Sequence, residues 1–160
     1  MRIIISGVPG TGKTTISKKL SEKLNIKCYN LNKLAKNYKI NIDEDETINF
    51  DLDKLLIDFE KKISQKKDYI AESHFSHFIQ PKYYDLLIIL NRDLKELKEE
   101  YEKRGYKENK IKENLEAESF NICYFEALEE GTPKEKILNI ENKNTEETIN
   151  TILNYIKKNS

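Results

Sequence analysis

The chain predicts a three-layer α/β sandwich, with a five-stranded parallel sheet between two layers of helices. Two observations lead there. Short apolar or β-branched runs alternate with stretches of helical periodicity along all 160 residues. The first run, Ile3, Ile4 and Ile5, stops at a glycine-rich turn, as a strand buried on both faces does. A chain of this length suffices for one domain with a real core and falls short of two, so 1–160 is read as one domain.

The elements follow in order. Over residues 13–24, Ile16, Leu20 and Leu24 recur four apart among lysines and serines, which makes a helix with one buried face. A second strand is expected at 26–29, then a short helix over 31–38 capped by Asn30 or Asn32. Residues 39–49 hold Asp43, Glu44, Asp45 and Glu46 with little periodicity and read as an exposed loop or lobe. Leu52, Leu55, Leu56, Phe59 and Ile63 mark a helix over 51–63, before a third strand at 68–72. An aromatic connection containing Pro81 leads to the strand at 85–90, whose apolar run ends at Leu90. Residues 91–93 cap a polar helix to Lys103, and Gly105 interrupts it. One long helix is expected from about 107 to 129, with Ile111, Leu115, Ser119, Ile122, Phe125 and Leu128 inward and Gly131 and Pro133 ending it. A fifth strand at 137–140 and a helix over 145–157, with Ile149, Ile152, Leu153 and Ile156 inward, close the chain.

Composition narrows the setting. Lysine plus arginine and aspartate plus glutamate both total 28, so net charge argues for neither nucleic acid nor membrane as main partner. Arginine occurs only at Arg2, Arg92 and Arg104. Cys28 and Cys123 lack metal-type spacing and read as free thiols in a reducing compartment. The apolar run at the start is too short for a signal peptide, and no stretch approaches the ~20 apolar residues that span a bilayer, so a cytoplasmic protein without membrane association is expected.

Chemistry enters at Gly7-Val8-Pro9-Gly10-Thr11-Gly12-Lys13-Thr14, which meets G-x-x-x-x-G-K-[ST] in full between a buried strand and an amphipathic helix. In such a P-loop the glycines let the backbone turn N–H groups toward phosphate oxygens, and the helix terminus adds partial positive charge. Lys13 reaches the β and γ phosphates of ATP or GTP, Thr14 takes a magnesium position, and Thr15 can donate to the α phosphate. A G-x-G-x-x-G dinucleotide site fits worse, because the third glycine is missing.

A P-loop enzyme also needs a carboxylate at the end of another buried strand to hold Mg²⁺, directly or through water, and Glu72 stands there. His74 and His77 are the only histidines; a pair spaced i, i+3 without a third ligand gives little support for zinc. His74 suits a water or phosphate orienter beside the loop. Arg104, next to the hinge at Gly105, can swing over bound phosphates from a short lid.

Together these residues resemble the adenylate kinase isoenzyme 6 family, over nearly the whole length. The resemblance lies in the early G-V-P-G-T-G-K-T-T, the acid-x-His motif at Glu72 and His74, the Pro81 region leading to the following strand, and R-G-Y-x-x-x-K-I-x-E-N-L-E-A-E starting at Arg104. It implies reversible phosphoryl transfer from ATP to AMP, with tolerance of other nucleoside monophosphates and slow side hydrolysis of ATP. It implies a role in late small-subunit ribosome maturation through contact with a small-subunit ribosomal protein and transient pre-ribosome association. Residues 30–49 would be the monophosphate-binding region and 103–113 the short lid. Gly10, Gly12, Lys13, Thr14 and Thr15 would bind ATP phosphate, beside Gly7 and Thr11 of the same loop. His74 would serve hydrolysis and turnover, and Arg104 would be the lid arginine.

Several positions depart from that family. Glu72 stands where aspartate is common, Lys33 and Lys36 where an acid and an arginine are expected, and Asn91 where an arginine follows the strand, with Arg92 one residue later. A further helix arginine is replaced by Glu99 or Glu100. Lysine lacks arginine's bidentate fork, which implies weaker or less selective AMP binding. The competing reading is an ATPase switch that binds and releases a ribosomal protein. An RNA-binding module, carried by the lysines between 98 and 112, and a kinase for a non-nucleotide acceptor complete the field.

Overall fold

Alternating side chains of the central strand face two separate cores. In β1 (Arg2–Ser6), Ile4 packs on one side of the sheet while Ile3 and Ile5 pack on the other, all three fully buried. In β6 (Leu86–Asn91), Leu87 and Ile89 join the first core, and Leu86, Ile88 and Leu90 the second. This period of two, apolar at every step, requires helices over both faces.

The computed structural model describes residues 1–42 and 48–159, Ile48 through its backbone alone. With β2 (Cys28–Asn30), β5 (Tyr69–Glu72) and β7 (Ile137–Glu141), the main sheet runs β2-β5-β1-β6-β7, every pair parallel. One face carries α1 (Lys13–Leu24) through Ile16 and Leu20, and α7 (Thr145–Lys158) through Ile149, Ile152 and Ile156. The other is covered by α2 (Leu31–Ala35), α3 (Leu52–Ile63), α4 (Leu94–Lys103) and α6 (Ile122–Glu129). Fully burying one such aliphatic side chain stabilises the fold by roughly 1.5–3 kcal/mol. Caps fix where helices begin: Asn30 accepts from the Lys33 amide, Asp51 from Lys54, Asp93 from Lys95 and Glu96, and Asn144 from Glu146 and Glu147. The three-layer fold with a five-stranded parallel sheet is as the sequence predicts. Among the described residues, no helix is long and apolar enough to cross a membrane.

Three local expectations are corrected. The 39–49 stretch is not wholly loop: β3 (Lys39–Ile42) pairs antiparallel with β4 (Ile48–Phe50), while Asp43, Glu44, Asp45 and Glu46 lie outside the described residues. The short helix after β2 ends at Ala35 and tightens into a 3₁₀ turn over Lys36–Tyr38. The long helix of 107–129 is two, α5 (Glu108–Ser119) and α6, divided where Asn121 takes φ 52°, a left-handed conformation that asparagine tolerates. That break rotates the apolar faces. Cys123 and Ala127 are buried, whereas Phe125, expected inward, is 54% exposed and Ser119 is exposed too.

Candidate active site

Every carbonyl from Gly7 to Gly12 has a partner, which orients the loop between β1 and α1. Lys13 Nζ donates to Gly7 O and Val8 O, each at 2.8 Å, and Thr11 Oγ1 also donates to Val8 O at 3.2 Å. Tyr101 Oη on α4 donates to Pro9 O at 2.6 Å, Arg92 Nη1 to Gly10 O at 2.9 Å, and Asn142 Nδ2 to Thr11 O at 2.9 Å. Gly12 O accepts the Ile16 amide at 3.0 Å. In a trans peptide the N–H opposes the C=O, so tying Pro9 O, Gly10 O and Thr11 O to Tyr101, Arg92 and Asn142 turns the amides of Gly10, Thr11 and Gly12 the opposite way. Gly12 begins α1 at φ 93°, with no acidic residue in the first turn to compete for the helix terminus.

Packing explains the glycines. A Cβ on Gly7 would lie 2.3 Å from Leu90 O, one on Gly12 2.5 Å from Asn142 Nδ2, and one on Gly10 3.3 Å from Leu97, Glu100 and Tyr101 together. The loop is thus wedged between β6, α4 and the segment after β7 as well as bent by its own sequence.

The loop forms one wall of a cleft of about 590 Å³ at the carboxyl end of the sheet, where ligands of such sheets bind. Gly10, Gly12, Lys13, Thr14 and Thr15 line it, with Glu72 at the end of β5 and His74 just after it. Arg104, Tyr106, Lys110 and Asn114, from the α4–α5 junction and α5, form a second wall, and Asn32 and Phe50 a third. Sequence-predicted Lys13, Thr14, Glu72, His74 and Arg104 therefore meet in one cavity. Gly7 and Thr11 do not line it; Gly7 sits against Leu90, and Thr11 is buried with its hydroxyl turned to Val8 O.

Charge in the cleft is poised for an anion and a cation. Lys13 is buried, and desolvation lowers its pKa to about 8 against the opposing pull of Glu72. Glu72 Oε1 accepts from Thr14 Oγ1 at 3.0 Å and from Asn30 Nδ2. Glu72 Oε2 is buried without a hydrogen-bond partner, and burial raises the pKa of the carboxyl group. An orphaned carboxylate oxygen beside a threonine hydroxyl fits the oxygen donors that Mg²⁺ takes. His74 opens onto the cleft, and desolvation there, aided by the Lys13 charge, holds its pKa well below the ordinary value, so its ring is neutral near pH 7.

Arg104 Nε donates to Glu100 Oε1 at 2.7 Å, and Glu100 is one of the two acids, with Glu99, noted where a helix arginine is expected. Of the other departures, Lys33 and Lys36 are exposed and do not line the cleft, although the charge of Lys33 acts on Glu72. Asn91 bonds Asn139 across the sheet. Arg92 supports the loop from outside, and its amide donates to Glu118 Oε1 at 2.7 Å. Sequence reasoning missed Tyr101, Asn142 and the loop-bracing role of Arg92. Their partners lie 92, 131 and 82 residues away, and only folding joins them.

The chain is similar to several known proteins. Residues 3–121 match the family model described as an AAA domain. A protein of Methanocaldococcus jannaschii named "Putative adenylate kinase" is 39% identical over 98% of this chain and 86% of its own. One of the same name from Pyrococcus furiosus is 36% identical over 98% of this chain and 84% of its own. The chain belongs to this adenylate-kinase-like family. Its members here are archaeal, and the match spans both the loop and the Arg104 wall. The fold is shared more widely. Shikimate kinase from Aquifex aeolicus superposes with TM-score 0.64 at 19% identity, over 99% of this chain and 98% of its own. Deoxyadenosine kinase from M. mycoides, with bound dATP, gives 0.61 at 20% over 98% and 100%. The protein is a nucleotide-binding P-loop enzyme related to kinases.

Proposed function

We propose that the protein transfers the terminal phosphoryl group of ATP to a nucleoside monophosphate, AMP first among them. One observation carries the choice: the cleft has a third wall, formed by Asn32 and Phe50, and the buried Asn32 Oδ1 on it has no hydrogen-bond partner among the described residues. An unsatisfied acceptor beside Phe50 suits a base or ribose that brings a donor and an apolar face. The family relationship to proteins named for adenylate kinase supports the same acceptor.

In this reading the loop amides and Lys13 hold the β and γ phosphates, and Lys13 leaves Gly7 O and Val8 O to do so. Thr14 and Glu72 hold Mg²⁺, which when bound neutralises phosphate charge. Thr15, the third residue of α1, lines the cleft and takes the α phosphate. Arg104 exchanges Glu100 for the transferring group, carried by the 103–113 segment as a lid that excludes water. A monophosphate is already an anionic nucleophile, so no strong general base is needed. His74, neutral and at the cleft, orients the water of a side hydrolysis.

The resemblance carries the wider proposal of a cytoplasmic protein that contacts a small-subunit ribosomal protein during late maturation. The departures at Lys33, Lys36 and Asn91 favour the second reading, an ATPase switch with little transfer. The deciding experiment measures ADP and inorganic phosphate from ATP and Mg²⁺, with and without AMP. Transfer gives two ADP per ATP consumed, with no matching phosphate; phosphate equal to ADP regardless of AMP means a hydrolase.

A further inference from the structure

His77 does not share the cleft with His74. It points beneath the phosphate loop into a corner formed by the Ser76–Phe78 turn and α6, where it meets Cys123 and Glu126. One nitrogen, one sulfur and one carboxylate oxygen there lie within 4.8 Å of one another. We propose that this corner is a second metal site, distinct from the magnesium site, which takes a borderline divalent cation, zinc foremost, through His77 Nε2, Cys123 Sγ and Glu126.

Four features support it. Cys123 and Glu126 are three apart on one helix and so share a face. The imidazole is fixed from behind by Ser6 Oγ, which contacts Nδ1 at 2.6 Å as the outer hydrogen bond that typically orients a ligating histidine, and Nε2 is left to face Glu126 Oε2 at 2.8 Å. His77 and Cys123 are buried, while the Glu126 side chain is 37% exposed, which gives an entry path and a fourth position for water. A thiolate and a carboxylate also cancel the charge of a divalent cation, so the loaded corner is neutral as a buried site requires.

Zinc–sulfur and zinc–nitrogen bonds of ~2.3 and ~2.0 Å place tetrahedral ligand atoms roughly 3.3–3.8 Å apart. The Glu126 carboxylate therefore swings off the imidazole, and the most separated pair closes by about 1 Å. Metal binding displaces the thiol proton to solvent, shifts the imidazole proton from Nε2 to Nδ1, where Ser6 Oγ accepts it while donating its own proton to Ser73 O, and joins α6 to the base of the phosphate loop through His77 and Ser6. A plain His77–Glu126 hydrogen bond with an idle thiol beside it is the rival.

The test is a titration of the full chain with Co²⁺, read in the near-ultraviolet for thiolate-to-cobalt charge transfer, which an oxygen-only magnesium site cannot give. One equivalent is expected to develop the band. Excess Mg²⁺ with ATP leaves it, and Zn²⁺ bleaches it. Cys123→Ser, checked for folding by circular dichroism, loses the band, and Cys28→Ser keeps it. Absence of the band in the unaltered protein overturns the site without recourse to any variant, as does a band that survives Cys123→Ser or vanishes with Cys28→Ser.

Discussion

Lys13 shows how one side chain serves two states. Without nucleotide its ammonium satisfies two loop carbonyls in a buried place, which draws its pKa down to about 8. Phosphate raises the pKa again, so binding above pH 8 must take up a proton. Uptake of a fraction of a proton per ATP is expected at pH 8.5, falling away as the pH drops below the Lys13 value. Calorimetry in buffers of different ionisation enthalpy reads it directly, and zero uptake at pH 8.5 contradicts the assignment. Lys13→Ala is expected to lower turnover by about 10³-fold or more while the fold persists. Gly7 O loses its donor while Val8 O keeps Thr11 Oγ1, so a moderate loss of stability is the side effect, about 1–3 kcal/mol for an unsatisfied buried group. Tyr101→Phe isolates the bracing: it removes only the bond to Pro9 O, costs about 1 kcal/mol, and should raise KM for ATP with little change in kcat.

At the scale of elements, what was legible in the sequence is what short-range pattern encodes. The alternating strands and the α1 and α7 faces follow from periods of 2 and 3.6, and Ile149, Ile152 and Ile156 are buried as expected. The α5–α6 break was not legible, because apolar residues continue at helical spacing straight through Asn121 and nothing local marks its φ as positive. The β3–β4 pairing was hidden likewise behind a polar connection. Gly105 is the readable break: φ is 71°, and an added Cβ would meet nothing within 4 Å. Gly105→Ala thus tests backbone freedom without a clash. It is expected to cost roughly 1–2 kcal/mol and to slow transfer more than it weakens ATP binding. Equal effects on both would mean the junction is a passive wall. Glu100→Gln releases Arg104 from its acid, so a lower KM for ATP is expected in steady-state kinetics.

At the scale of the molecule, the site divides between what one motif states and what the fold assembles. Gly7 to Thr14 named the phosphate chemistry because its parts are contiguous. The other two walls come from segments around residues 32, 50 and 104–114, and no spacing rule joins them. That geometry makes a decisive ligand of two adenosines joined by five phosphates, which can fill donor and acceptor positions at once. Linking two sites makes the second contact intramolecular, so such a molecule should bind at least ~10² more tightly than ATP if both positions exist. Asn32→Ala should remove much of that advantage and leave ATP affinity unchanged, since Asn32 lines the cleft outside the phosphate loop with an unsatisfied acceptor. An ATPase switch has no second position to fill. Affinity equal to that of ATP would therefore refute the acceptor wall, while leaving the phosphate loop and its bracing intact.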